Sequence, residues 1–247
     1  MTPVTHRPAD ACCIAPVRFT ATTKAGASAS ALLTTALLLG GCASVPPQPD
    51  WQINAFAALN SYTSAYLAGN TRVAESELRR ARAEIASTGR LDLMARLELV
   101  RCAAQVASLE PDACADFQKL AADALPAEQA YAQFLAGRWV GLQTELLPVQ
   151  YRGLVTQSLA TTRPGNLLDP IQNPLSRLIA AGALFKAERL APTGIGLAAE
   201  TASSQGWRRP LLAWLGVQHR QAQAADDSTT TASLQRRIDL VLQTPVR

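Results

Sequence analysis

Five cysteines and two histidines are the residues of this 247-residue chain best suited to chemistry at neutral pH. The histidines, His6 and His219, are far apart. Hydrolases and metal enzymes use imidazole as base or ligand. Two isolated imidazoles supply neither a base paired with a nucleophile nor a ligand set. No GxGxxG, P-loop, HExxH or CxxC pattern occurs after residue 42. His219, on a helix beside Arg220, reads as a surface or packing residue. Glu75, Glu77 and Glu84 are spaced for helix ion pairs with Arg79, Arg80 and Arg82 rather than for acid–base work. The chain reads as non-enzymatic, with no catalytic residue, no metal site and no cofactor expected.

One polar cluster suggests binding. "GWRRP", residues 206 to 210, sets Trp207, Arg208 and Arg209 just ahead of a helix. A guanidinium pair beside an indole can grip a carboxylate, a lipid headgroup or a partner chain. In the competing reading, Trp207 staples the helix start to its neighbour.

The cysteines divide by position. Residues 1 to 24 carry Arg7, Arg18 and Lys24 against Asp10. "AGASASALLTTALLLGG", residues 25 to 41, has no charge and runs into Cys42. A basic start, a short apolar stretch and small residues at its end are the parts of a secretory signal. The stretch is too short, and too rich in Gly, Ser and Thr, for a membrane span of ~20 apolar residues.

Leu39-Gly40-Gly41-Cys42 resembles the lipobox of bacterial lipoproteins. The resemblance implies cleavage before Cys42, a diacylglyceryl thioether on its sulfur and acylation of its new amino group. Two or three acyl chains, at ~0.8 kcal/mol per buried CH₂, anchor stably where one does not. Ala43 at the next position implies, by the enterobacterial pattern, the outer membrane and its periplasmic face. Residues 1 to 41 are then a signal peptide and 42 to 50 a lipidated cysteine with a proline-rich tether. Residues 51 to 247 are then a single helical domain. "RFTATTK" after Val17 is the better basic region, so translation is expected to start near residue 17.

Cys12 and Cys13 then belong to the discarded part. Cys102 and Cys114 remain in a chain exported to an oxidising compartment. Two readings stand: one disulfide, stabilising by about 3 kcal/mol in the chain-entropy picture, or two buried thiols on neighbouring helices that do not meet. Without Arg7, Arg18, Lys24 and Asp10 the net charge falls from +4 to +2. Export and near-neutrality argue against a nucleic-acid partner.

These residues need a scaffold, and the scaffold reads as all-α. Hydrophobic residues make up 48% of the chain but aromatic ones only 5%, which favours helices over strands. "ASVPPQPD" is extended at ~3.1 Å per residue and holds the body near the bilayer. From Trp51, Phe56, Leu59, Tyr66 and Leu67 fall on one helix face. "LAGN" breaks that helix, and Ala74, Leu78, Ala81 and Ile85 form the apolar stripe of the next. A third helix, 91 to 108, is apolar except for a strip of Glu98, Arg101 and Gln105, and reads as central and buried. Pro111-Asp112 opens a fourth helix with Phe117 and Leu120 inward, and Pro126 a fifth. A sixth is expected around Trp139, Leu142 and Leu146, and a short one from Pro148 through Val155. Residues 158 to 175 read as the loosest stretch. Asn173 caps a helix beginning at Pro174. Residues 193 to 206 carry no clear assignment. A helix from Pro210 to about Ala224 and a last one after Asp226-Asp227 complete the chain.

"YLAGNTRVAESELRRA" resembles the tetratricopeptide repeat through Tyr66, Gly69, Ala74, Leu78 and Ala81. "FLAG", 134 to 137, repeats "YLAG", 66 to 69, at twice that family's period. "WLG", 214 to 216, followed by His219, is similar to the start of a further unit. The resemblance covers about 100 residues in three pieces. It implies antiparallel helix–turn–helix pairs in a tetratricopeptide-like solenoid with a curved surface for a protein or peptide. The alternative is an irregular helical array. The function expected is that of a helical scaffold binding an envelope protein or peptide, against a helical carrier or sensor of a small apolar ligand or glycan fragment.

Overall fold

The α1–α2 hairpin starts the described part of the chain. The computed structural model describes residues 48–111, 114–160 and 167–243. Cys12, Cys13, Cys42, the apolar stretch 25–41, the expected start near Val17, the tether up to residue 47 and Asp112 lie outside the described residues. Helix α1 is Asp50–Ala68 and α2 is Thr71–Ala86. Gly69 takes φ 87°, closing α1, and the Asn70 side chain accepts the Val73 N–H at 3.3 Å, opening α2. The small residues Ala55, Ala58, Ala74 and Ala81 are buried between the two helices, together with Tyr62, Tyr66, Leu78 and Ile85. Phe56 was expected on the inner face of α1, but it is 68% exposed. The hairpin packs through alanines and tyrosines at 55, 58, 62 and 66, and that register turns residue 56 outward.

Helix α3, Leu91–Ala107, is two-sided. Leu97 and Ala104 belong to the hairpin's core. Ala95, Leu99, Cys102, Ala103, Val106 and Ala107 belong to a larger one. That larger core is built with α5 (Pro126–Leu135), α6 (Val149–Ala160), α7 (Pro174–Lys186), α8 (Pro192–Ser204) and α9 (Arg208–Ala224). Helix α4, Ala115–Gln118, is one turn, and α10, Ser228–Gln243, covers α9. All ten α-helices of the described residues lie in one compact unit, with no strand among them. None is long and apolar enough to cross a membrane.

Helix α7 lies directly on α3. A Cβ at Gly182 would run into the carbonyl of Val106, so glycine is what lets these backbones approach. At the far end of the fold, α9 touches both α8 and α1. The α3–α7 and α1–α9 contacts join elements that are not neighbours in the chain. A solenoid stacks each unit on its neighbours alone, so the described helices form the irregular array, with antiparallel pairs within it.

Four elements differ from the sequence reading. The helix expected around Trp139 to Leu146 is a set of turns ending in a 3₁₀ turn, Thr144–Leu146. Trp139 is buried and donates its indole N–H to the Phe134 carbonyl at 3.0 Å, and Gly141 takes φ 74°. The fourth helix shortens to α4. The unassigned stretch 193–206 is mostly α8: Pro192 starts it, and Ile195, Ala198, Ala199 and Ala202 are buried. That packing outweighs the ~1 kcal/mol that each of Gly194 and Gly196 costs a helix. Helix α9 starts at Arg208, not Pro210, because the first turn has no use for the missing proline N–H.

Most helices end in the same way. In α1, α3, α5, α7, α8 and α9 an N–H just past the helix end bonds to the carbonyl five residues earlier, as in Asn70 to Ala65 and Arg138 to Gln133. Gly137 serves this turn in α5, and a Cβ there would sit 2.7 Å from the Ala187 nitrogen. In α3, α7 and α9 the left-handed residue is not glycine, and in α9 it is Asp226 at φ 54°. Leu109 and Glu188 both take φ 57°, a conformation that side chains larger than glycine's rarely adopt.

Candidate functional site

The polar strip of α3 does not face solvent. It lies beneath α1, α2 and α4. Glu98 is 4% exposed and accepts from Arg82 Nε at 2.7 Å and from its Nη2 at 2.6 Å. Arg101 lies 3.7 Å from the other Glu98 oxygen and donates to Asp116 on α4. Asp116 also accepts from Lys119 at 2.7 Å and lies 3.7 Å from Arg82. Lys119 first, and then Arg101, hold the Asp116 carboxyl below the usual carboxylate range. Of the ion pairs expected within α2, Arg80–Glu77 forms at 3.4 Å. Arg82 instead reaches across to α3.

Cys102 and Cys114 are joined by a disulfide, with Cα atoms 4.8 Å apart. It ties α4 and the preceding loop to α3. The same loop carries Glu110, which accepts from the Tyr66 hydroxyl at 3.3 Å and lies 3.6 Å from Arg209. Burial first, and then the Glu110 charge, raise the Tyr66 pKa. Tyr62 beside it is pushed up to about 12, burial outweighing the pull of Arg101 and Arg209.

The "GWRRP" cluster works largely inward. Arg209 stacks over the Tyr66 ring at 4.3 Å. Its Nε donates to the Tyr66 carbonyl at 2.9 Å and its Nη2 to Thr71 Oγ1 at 2.7 Å. It therefore clamps the α1–α2 turn onto α9. Arg208 Nη2 donates to the Leu242 carbonyl at 3.1 Å, reaching α10. Trp207 is half-buried and touches both cores. Sequence spacing singled out these three residues. It did not link them to Glu110, 99 positions earlier.

A groove of about 820 Å³ opens where α3, α5 and α7 end. Leu109, Cys114, Phe185, Arg138, Lys186 and Glu188 line it, among others. The Phe185 ring meets Trp214 edge-on at 5.8 Å, which fixes the floor. Two of the three non-glycine left-handed residues among the described ones, Leu109 and Glu188, stand on its rim. Glu110 links it to a smaller cavity of about 370 Å³ that Ser108, Arg208 and Arg209 line. The arrangement offers an apolar floor, charges of both signs on the rim and a disulfide-braced wall. That suits non-covalent capture of an extended chain bearing an apolar side chain.

His219 is half-buried beside a third cavity of about 530 Å³, with Gln223, Asp226 and Ser228. Among the described residues, no group of three or more His, Cys, Asp or Glu side chains is placed to hold a metal. The groove itself was missed by sequence reasoning, because its lining comes from three helix ends far apart in the chain. The signal within reach was the polar strip on an otherwise apolar α3, which asks for partners from other helices. No family model, curated protein or solved structure matches the chain.

Proposed function

We propose that this chain is a lipid-anchored protein of the outer membrane, facing the periplasm, whose helical body holds an extended segment of an envelope protein. The lipobox-like Leu39-Gly40-Gly41-Cys42 supports the anchor. The Cys102–Cys114 disulfide fits an oxidising compartment. The observation that carries the binding role is the groove at the ends of α3, α5 and α7. It is open, mixed in polarity and rigid at Cys114 and Phe185. A carrier of a small apolar ligand would instead need an enclosed, mostly apolar cavity. The role is that of a scaffold, without catalysis.

Two experiments test the two halves of the reading. Radiolabelled palmitate should enter the wild-type protein and not Cys42→Ala; equal labelling would remove the anchor. For the groove, a photo-reactive phenylalanine analogue placed at Gln118 or Phe185 in the full chain should give protein adducts in intact cells. The same group at Arg236, on α10, is the control. Adducts no more frequent from the groove than from Arg236 would overturn the binding site.

A further inference from the structure

We infer that the leading end of α1 is a bilayer-contact surface, which Ile53 and Phe56 dip into the headgroup–acyl boundary of the membrane that holds Cys42. This rests on the lipid-anchored reading and adds a second, non-covalent contact to it.

Three observations meet there. The first is exposure. Ile53 is 51% and Phe56 68% exposed, and they are three residues apart on one helix face. Helices α1 and α2 run antiparallel through a two-residue turn, so the α2–α3 junction returns to the same end. It brings Leu91, 51% exposed, to that end.

The second is charge. From Trp51 to Thr71 the chain carries no Asp, Glu, Lys or Arg. The outward residues of α1 after Phe56 include Ala57, Asn60, Ser61 and Ser64, all uncharged. A helix face that stays in water normally carries charges, as α2 does with Arg72, Glu75, Arg79 and Arg80. The charges at this end are Asp50 in the first turn and the Arg90–Asp92 pair beside Leu91. They can stay at the headgroup level while Ile53, Phe56 and Leu91 enter, and the rest of the α1 face brings no ion to desolvate.

The third is reach. Cys42 and Asp50 are eight residues apart. Even fully extended, at ~3.6 Å per residue, that is under about 30 Å. The start of α1 therefore stays beside the bilayer. Its local concentration there is high, so a contact too weak to bind a free protein is populated. This distinguishes the bilayer from a protein partner as the occupant: the bilayer is always within reach.

The test uses the mature, acylated chain in phospholipid vesicles. A fluorophore is attached at Phe56→Cys or, as control, at Arg79→Cys. Lipids carrying a nitroxide high on the acyl chain should quench the label at 56 at least about threefold more than the label at 79. Ile53→Ser/Phe56→Ser should transfer between vesicles about tenfold faster than wild type, with an unchanged helical circular-dichroism spectrum. Equal quenching at the two positions overturns the contact. A label at 56 shielded from lipid but crosslinking to a second copy or another protein also overturns it, in favour of that occupant. Mass spectrometry and vesicle flotation separate the two failures. A chain without acyl groups that does not float defeats the anchored reading and this inference with it. A chain that is acylated and floats, but is not quenched at 56, defeats this inference alone.

Discussion

The α1–α2 hairpin and the α3–α9 body are both built from alanine and leucine, yet different forces hold them. The body is joined by dry contacts: Gly182 against Val106, Phe134 stacked on Tyr151 at 4.6 Å, and Trp214 wholly buried. The hairpin meets the body partly through Leu97 and Ala104. Leu93, Met94, Leu175 and Trp207 pack there as well, and polar contacts are added to them: Arg82–Glu98, Tyr66–Glu110 and the Arg209 clamp. Apolar contact carries no charge to screen or titrate, whereas Arg–carboxylate pairs are screened by salt and lost in acid. The hairpin is thus the part of this fold whose docking conditions can tune, and it is the part next to the tether.

The comparison breaks most readily at Trp214. Its indole fills the body and donates to the Ala107 carbonyl at 3.1 Å, linking α9 to the end of α3. Trp214→Ala should cost about 4 kcal/mol, with the same loss at low and high salt in chemical denaturation. A strong salt dependence would mean that the body is not held as described.

The disulfide lies in the body, where it braces the loop whose Glu110 meets Tyr66 of the hairpin. Reducing it, or Cys102→Ser/Cys114→Ser, should cost about 3 kcal/mol through the looser unfolded chain. Hydrogen exchange should rise first in α4 and around Glu110, before α7 and α9. Uniform exchange across both regions would erase the distinction between them.

Next in size is Arg82→Met. It leaves Glu98 buried with only Arg101 nearby. The Arg82 side chain is 36% exposed, so the cost is about 2 kcal/mol, below that of breaking a fully buried pair. The loss should shrink in high salt, and Arg82→Met/Glu98→Leu should recover most of it. A salt-independent loss would place the hairpin's attachment in its apolar contacts. Smaller still is the acid response of Asp116. Its folded pKa is depressed, so its stabilisation is present above the ordinary carboxylate pKa of ~3.9 and fades as pH falls through the folded value. Asp116→Asn should flatten that part of an acid unfolding curve.

The same contrast explains what could be read ahead of the structure. The stripe Ala74, Leu78, Ala81 and Ile85 is buried as its spacing requires, and Asn173 caps α7 by accepting the Ser176 N–H at 2.9 Å. Such features depend only on residues within a turn or two. Phe56 was misplaced because α1 has no single strong apolar stripe: alanines and tyrosines compete with larger residues for the inside, and α2 decides the winner. Helix α8 was obscured by Gly194 and Gly196, whose cost is offset by neighbours that local spacing does not reveal. The groove is the extreme case. Leu109, Arg138 and Glu188 meet only because three helices end together. The Arg209–Glu110 contact needs α9 to return to α1.

The finest probe of the polar junction is Tyr62. Its hydroxyl is buried with no hydrogen-bond partner among the described residues. A buried hydroxyl in that state costs stability rather than adding to it. Tyr62→Phe should therefore be neutral or stabilising by up to about 1 kcal/mol, unlike Arg82→Met beside it. The pH response gives a second readout. A phenol whose folded pKa is raised to about 12 stabilises the fold below the unfolded value near 10, and that stabilisation is lost as pH rises through about 12. Tyr62→Phe should remove this part of the alkaline loss while leaving the part from Tyr66, which is also raised. If Tyr62→Phe were instead costly, the hydroxyl would have to be engaged, for example by an ordered water bridging it to Glu98. The polar junction would then be a fully satisfied network, and a sturdier attachment than the comparison with the dry body implies.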